Sequence, residues 1–515
     1  MQDLTARLHA AAAVGMTMSV WAREKPHAVA IHDPQGTRTF FDINAAANRI
    51  VRLLRAHGLE RGDSVALMCS NRAEFVEVLS ATLRGGYRFT PVNWHLTADE
   101  VEYIINDCEA KALFAEPRYP AGLGASAPGV QLKVAIGAPA EGFLPYAETL
   151  AALDGSDIED PLLGGAMLYT SGTTGRPKGV YRRNNVVLVL PTPGAPDDVQ
   201  MCAGPAYHAA PLAFDVRASI NQGNPLVFLD RWDSEGVLAA IARHRVTRAH
   251  MVPIMFQRLL ALPEAVKARY DISSLRYVIH GAAPCPPEVK KAMIDWIGPI
   301  IHEYYAGSEG GAGFLIDSHE WLAKPGTVGK LPAPDSVKLL DEEGGEITER
   351  HRSGTIYFKV SPIAPFEYFK DPKKTAAAHK DGYFTLGDVG FLDEDDYLFL
   401  TGRTAECIIS GGVNIYPQEI DNEIIKHPAV EDSCAIGVPS DEWGEEVKVV
   451  VTLHPGQQPN DALGADILAF AKGRLAGYKS PKSITFVEEL PRSPAGKIQR
   501  GKVRAPYWAG RARQI

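Results

Sequence analysis

The chain has 515 residues, a net charge of −9 and 22% charged residues. That is too long for one domain of the usual ~150 residues, and the balance excludes a disordered or fibrous protein. With no basic stripe, nucleic acid is not an expected partner. The six cysteines (Cys69, Cys108, Cys202, Cys285, Cys407, Cys434) include no Cys-x-x-Cys pair, which fits reduced thiols in a cytoplasm and neither a disulfide framework nor a zinc site.

In chain order, the apolar run Ala10–Val20 is broken by Gly15, Thr17 and Ser19, so a secretory signal is not expected. Asp42 is positioned to cap a helix with Ile43, Ala46, Ile50, Leu53 and Leu54 on one face and Gly58 as its stop. Val65–Met68 reads as a buried strand. Asn71 opens a second helix stopped by Gly85-Gly86, followed by a strand at Arg88–Val92, a helix from Thr97 and a strand at Ala112–Ala115. This alternation predicts parallel sheets covered on both faces. Val186–Leu190 is a further buried-strand candidate, and no run approaches the ~18 apolar residues of a membrane span. Strands are expected again at Pro225–Leu229, His250–Pro253 and Tyr277–His280. Short strands with Gly-rich turns at Val337–Leu340, Gly354–Val360 and Tyr397–Thr401 predict a small β-rich subdomain. From Thr404 the pattern returns to mixed α/β. The expected fold is therefore α/β, with a large domain over residues 1–403 and a small one over 404–515.

The strongest chemical signal is Tyr169-Thr-Ser-Gly-Thr-Thr-Gly-Arg-Pro-Lys-Gly179. Its hydroxyls and glycines present donors to a polyphosphate and Lys178 adds positive charge. It is not the common nucleotide P-loop, because Gly172 and Gly175 are three apart and Pro177 precedes the lysine.

Thr170 to Gly179 resembles the phosphate-binding loop of the adenylate-forming superfamily, which includes acyl-CoA synthetases. The resemblance continues in order through His302-Glu-Tyr-Tyr-Ala-Gly-Ser-Glu309, Thr385-Leu-Gly-Asp388, Thr401-Gly-Arg403 with Ile408-Ile-Ser-Gly-Gly412, and Pro494-Ala-Gly-Lys497. It implies ATP, CoA and Mg²⁺ as cofactors and a small-molecule carboxylic acid as partner. It further implies that Thr170, Ser171, Gly172, Thr173, Thr174, Gly175 and Lys178 hold ATP phosphates. Gly281, Ala282 and Ala283 would form a strip under adenine, Tyr305 would stack on it, and Ala306 and Ser308 would lie beside the adenylate. Asp388 and Arg403 would serve the ribose, Glu309 would bind Mg²⁺, and Lys497 would supply the cation for adenylation.

By the same resemblance, His208 lies between the acyl site and the thiol, with Ala209, Phe214, Ile279 and Gly307 lining the acyl pocket. Gly411, Gly412, Trp443 and Tyr478 would flank CoA, and Ala405 falls on the interdomain hinge. Ser480 stands where a basic partner of the CoA phosphate sometimes sits. Phe214-Asp215 is similar to a pair that grips α-amines but sits six residues beyond His208, which disfavours an amino-acid substrate.

The expected activity is an ATP-dependent acid–CoA ligase acting on a hydrophobic fatty or bulky cyclic (aryl, steroid or terpenoid) acid. Alternatives are loading of a separate carrier protein, a luciferase-like oxygenase, a nucleotide sensor, and a homologue weak in adenylation that accepts a preformed acyl-adenylate. That last reading rests on Ala306 and Ser308, which stand where glycine and threonine are usual. A cytoplasmic location is expected, and a homodimer is compatible with this reading.

Overall fold

The computed structural model describes residues 2–124, 126–170, 177–185, 194–341, 343–403, 406–410, 413–440, 443–475, 477–493 and 496–509. The α/β expectation holds. A six-stranded, all-parallel sheet has the order Leu144–Pro145, Leu132–Ala135, Ala110–Ala115, Ser64–Met68, Arg88–Pro91, Gly165–Ala166. Every residue of Ser64–Met68 is buried, as a strand covered on both faces requires.

The first covering helix is Phe40–Ala56, and its cap differs from expectation. Thr39 caps it, accepting from the Asp42 amide at 3.1 Å, while the Asp42 carboxylate accepts from the Thr39 amide at 2.9 Å. Asp42 is thus the reciprocal member of a capping box. The next helix, Ala73–Gly85, starts with its Ala73 amide on Asp33 Oδ2 at 2.8 Å and ends at Gly86, whose φ of +77° is a left-handed cap. Asn71 does not open it. Its side-chain amide donates to the carbonyls of Gly204 (2.8 Å) and Leu229 (3.0 Å), pinning the first sheet to the second.

The second sheet has eight strands: Gly310–Ile316, Ile301–Gly307, Tyr277–His280, Arg248–Met251, Gln200–Cys202, Leu226–Phe228, Val29–Asp33 and Gly36–Thr39. Its six inner strands are parallel and each edge strand is antiparallel. The β-rich portion is an antiparallel sheet built on Thr327–Lys330, Tyr397–Arg403, Tyr383–Leu392, Gly354–Lys359 and Val337–Leu340. A three-stranded sheet, Phe366–Tyr368, Lys178–Arg182 and Leu168–Thr170, lies beside it.

Beyond residue 406 the chain builds another sheet, with Val430–Ser440 and Gly444–Leu453 as its long hairpin and Ser483–Phe486 added in parallel. Its apolar cores, around Ile420, Val449 and Ile467 and around Cys434 and Leu490, are formed from its own residues. No described helix is long and apolar enough to cross a membrane. The Val186–Leu190 strand candidate lies outside the described residues.

Candidate active site

Crevices at the carboxyl ends of parallel strands are where open α/β sheets bind ligands. Here Tyr277–His280 runs into Gly281-Ala282-Ala283. A Cβ on Gly281 would sit 2.6 Å from the Tyr304 ring and carbonyl, so only glycine fits. Ala282 holds a φ of +66°, a region alanine seldom visits and one that concentrates at functional sites. The neighbouring strand Ile301–Gly307 turns Tyr304 and Tyr305 to opposite faces.

Tyr305 enters the β-rich core beside Phe314 and Phe358, at 5.9 and 5.6 Å between ring centroids, and is 8% exposed. Its hydroxyl donates to Asp388 Oδ2 at 2.7 Å, and Arg403 Nε donates to Oδ1 at 2.7 Å. Asp388 and Arg403 face each other across two antiparallel strands, so sheet register itself sets this pair. Burial, then the Asp388 charge, pushes the Tyr305 hydroxyl well above its ordinary pKa, which keeps it a donor.

Thr170 and Lys178 stand opposite each other at the base of a hairpin. Ser171, Gly172, Thr173, Thr174 and Gly175 lie outside the described residues. Lys178 Nζ sits 5.1 Å from the Tyr368 ring centre, and the Tyr368 hydroxyl donates to Glu309 Oε1 at 3.0 Å. Arg182 clasps the same segment through the carbonyls of Glu309 (2.7 Å) and Ser308 (3.2 Å). Glu309 therefore offers one anchored carboxylate oxygen and one, Oε2, without a protein partner among the described residues. A single oriented carboxylate of hard oxygens suits Mg²⁺, which is commonly held by one or two carboxylates together with substrate phosphates. Ala306 is exposed, and its methyl faces Gly311, where a Cβ would come within 2.9 Å.

The opposite wall is carried by a π-helix, Pro211–Arg217, a form that recurs at functional sites. Phe214 on it packs against Tyr304 (4.6 Å) and His250 (5.8 Å), and His250 Nε2 lies 3.3 Å from the Tyr304 hydroxyl. Ile279 is buried on its strand, Ala209 is half-buried, and Gly307 sits against the Leu386 side chain. Asp215 turns away from this wall. Gln200 Nε2 (2.8 Å) and the His250 amide (3.2 Å) donate to its Oδ1, and burial raises its pKa well above the usual carboxylate range. It is no ready grip for an amine. His208 Nε2 is buried without a hydrogen-bond partner among the described residues. Burial, then the charges of Lys497 and His95, lowers its pKa to about 4, so the imidazole is neutral. A run of rings leads outward from it: Tyr207 at 4.6 Å, then Trp94, then Tyr119 stacked on Trp94 at 4.7 Å.

Lys497 reaches this cleft from the C-terminal portion. Gly496 before it packs on Ile254 and Val252. The residue keeps some solvent-exposed surface, yet burial of the charged end and then Arg403 push its pKa down to about 8, against the pull of Asp388, Glu309 and Glu406. Lys178, Glu309, Asp388, Arg403, His208 and Lys497 are thus brought to one cleft. Ala405, Gly411 and Gly412 lie outside the described residues. Trp443 and Tyr478 are surface aromatics, 50% and 52% exposed. Ser480 is 6% exposed and offers no open surface to a phosphate. Sequence reasoning gave no role to Tyr368, Arg182 or His250, which belong to no contiguous motif with a charge signature, nor to Tyr304, which lies inside the 302–309 motif beside the residue singled out there.

Two family profiles match the chain. Residues 18–365 match "AMP-binding enzyme" and residues 419–497 "AMP-binding enzyme C-terminal domain". A feruloyl-CoA synthase of an Amycolatopsis species is 33% identical over 94% of this chain and 97% of its own length. A long-chain-fatty-acid–CoA ligase of Mycobacterium tuberculosis is 32% identical over 92% and 93%. Among solved structures, ATP-bound MatB from Rhodopseudomonas palustris superposes with a TM-score of 0.80 at 29% identity, covering 95% of this chain and 99% of that one. With both profiles in order along one chain and its motif charges gathered in one cleft, the protein belongs to the AMP-binding, adenylate-forming enzymes, in the acyl-CoA synthetase branch.

Proposed function

We propose that the protein is an ATP-dependent acid–CoA ligase. The observation that carries this reading is the presence of Lys497 in the same cleft as Glu309, Asp388 and Arg403. In the first half-reaction the substrate carboxylate oxygen attacks the α-phosphorus of ATP, the bond to the β-phosphate oxygen breaks, and pyrophosphate leaves. Attacking and leaving groups are both anionic, so fixed cations lower the barrier. Lys497 and Arg403 supply that charge, Lys178 and the loop from Thr170 to Gly175 hold the outgoing phosphates, and Asp388 accepts from the ribose. Gly281, Ala282 and Ala283 form the adenine floor. Tyr305 offers adenine at most a ring face, since its hydroxyl is spent on Asp388. When bound at Glu309, Mg²⁺ neutralises phosphate charge.

In the second half-reaction the CoA thiolate attacks the acyl carbonyl and AMP leaves. We assign the N-terminal unit to residues 1–403, the C-terminal unit to 404–515 and the hinge to Ala405. Gly411 and Gly412 would pass the pantetheine arm, and Trp443 and Tyr478 would flank the CoA adenine. Neutral His208 stands between acid and thiol without competing as a cation. Ala209, Phe214, Ile279 and Gly307 present small or apolar surface, which supports a hydrophobic acid larger than acetate, either fatty or ring-bearing. The feruloyl and long-chain substrates in the names of the relatives support the same class.

The test is a substrate panel with ATP, Mg²⁺ and CoA, following AMP and thioester. Each added buried CH₂ is expected to gain up to ~0.8 kcal/mol until the pocket fills. Acetate or propionate as the best substrate would sink the acid class, and AMP release with no thioester would sink the acceptor.

A further inference from the structure

A small cavity lies between the helices Gln2–Ala12 and Thr17–Glu24, the helix Ala73–Gly85 and the end of the π-helix segment. Met18, Leu83 and Ile220 form its apolar side, and Thr17, Ser80 and Arg217 its polar side. It has about 30 Å³ of room for the centres of water-sized groups, enough for about two waters.

Three of the polar residues that line it have no side-chain partner among the described residues. Ser80 is 3% exposed and its hydroxyl has no hydrogen-bond partner among the described residues. Among the described residues, Arg217 makes no hydrogen bond or ion pair, and no carboxylate lies near enough to support its charge, so burial alone drags its pKa down to about 10. Thr17 likewise has no side-chain partner there. Buried polar groups are satisfied in nearly all native structures, and a desolvated guanidinium without a counter-charge is costly. Water fills hydrogen-bonding capacity but supplies no negative charge. The guanidinium fork matches a planar carboxylate with two parallel hydrogen bonds, and Thr17 and Ser80 line the same small space. From the convergence of Arg217, Ser80 and Thr17 on one cavity, we propose a binding site for a small planar oxyanion of the carboxylate type, no larger than formate or acetate.

The site is separate from the ligase reading. Arg217 sits at the end of the π-helix whose other face carries Phe214 to Tyr304, so an anion bound there braces that helix from behind.

Formate is the probe. Saturation-transfer NMR on its proton, up to about 100 mM, is expected to show binding to the wild-type protein, with a melting temperature about 1–2 °C higher than in chloride of equal ionic strength. Arg217→Met should lose both signals and, in chloride, melt no lower than wild type, because it removes only an uncompensated charge. Arg217→Lys keeps the charge without the fork and should bind formate about tenfold more weakly. Ser80→Ala should weaken it a fewfold. The proposal is overturned by the absence of saturation transfer in the wild type, by an undiminished formate response in Arg217→Met, or by unchanged affinity in Arg217→Lys.

Discussion

The two walls of the cleft are built on opposite principles. The wall proposed to hold the nucleotide is a mesh of paired charges and hydroxyls: Tyr305 and Arg403 both bind Asp388, while Tyr368 links Lys178 to Glu309. The wall proposed to face the acyl group is aromatic and electrically silent, with Phe214, Tyr304 and a His250 whose burial drives its pKa down to about 3. Its histidine nearest the reacting groups is neutral as well. The difference follows from chemistry. Phosphoryl transfer needs charge preorganised before substrate arrives, whereas an apolar acid needs dry surface of the right volume. Substitutions on the first wall should therefore act on rate and pH dependence, and those on the second on substrate choice.

The largest effect is expected at Lys497, which enters from the C-terminal portion. Lys497→Ala should cut acid-dependent pyrophosphate release by about 10²–10³, the scale of losing one electrostatic stabiliser. Thiolysis of supplied acyl-AMP should survive. With a pKa near 8, the side chain is charged below that pH and neutral above it, so wild-type adenylation should fall as pH rises past about 8. A folded pKa below that of free lysine also means that the charge opposes folding at neutral pH. The alanine variant should thus melt no lower than wild type at pH 7, and a large loss of stability would show that the residue is structural.

The second effect concerns the mesh itself. Asp388→Asn keeps the shape but removes the charge that Arg403 and Tyr305 address. Hydrogen bonds to charged groups contribute about 1.5–3 kcal/mol, so kcat/KM for ATP should drop about 10–100-fold while KM for the acid moves little. An equal rise in both KM values would place Asp388 in general folding and not in nucleotide binding.

How much of this was readable beforehand divides along the same line. The polar wall announces itself because its charges sit in contiguous strings, Thr170 to Lys178 and Ser308-Glu309 among them, and Asp388 and Arg403 need only the register of two neighbouring strands to meet. Tyr368 and Arg182 belong to the same wall but reach it through a separate three-stranded sheet, and no local pattern marks them. The acyl wall was harder. Phe214 is visible as an apolar residue, yet its partners Tyr304 and His250 come from strands a long way along the chain, and the π-helix leaves no periodicity by which to foresee it. The Thr39 cap was missed for a related reason: Thr39 is also the end of a strand, and that strand makes the helix begin earlier than its apolar stripe suggests.

The acyl wall can be tested at His208. Because its imidazole is neutral with a pKa near 4, it contributes shape and no charge at physiological pH. His208→Phe should change overall activity by less than about tenfold, within the range of a lost neutral contact, and shift preference among acids more than it shifts KM for ATP. The wild-type rate should lack a limb near pH 6.5. A limb there that vanishes in the phenylalanine variant would mean that the histidine titrates during turnover, and the contrast between a charged and a silent wall would fail.

The smallest expected effect is the most informative about whether the first wall works at full strength. Ala306 carries a methyl where the resembling motif has hydrogen, which motivated the alternative of an enzyme weak in adenylation. The structure supplies a local compensation: residue 311, across the antiparallel pair, is glycine, and any side chain there would collide with the Ala306 methyl. The methyl therefore occupies space vacated on its own sheet, and Ala306→Gly has little steric relief to offer. The substitution also frees the backbone, which costs about 0.5–1 kcal/mol in a strand. Adenylation by Ala306→Gly should stay within about threefold of wild type, with a slightly lower melting temperature. Gly311→Ala is the converse experiment, forcing the two methyls together, and should lower adenylation more than the first substitution changes it. If instead Ala306→Gly raised pyrophosphate release tenfold or more while thiolysis of supplied acyl-AMP stayed constant, the methyl would be a brake on the first half-reaction, and acceptance of a preformed adenylate would become the better account of this protein.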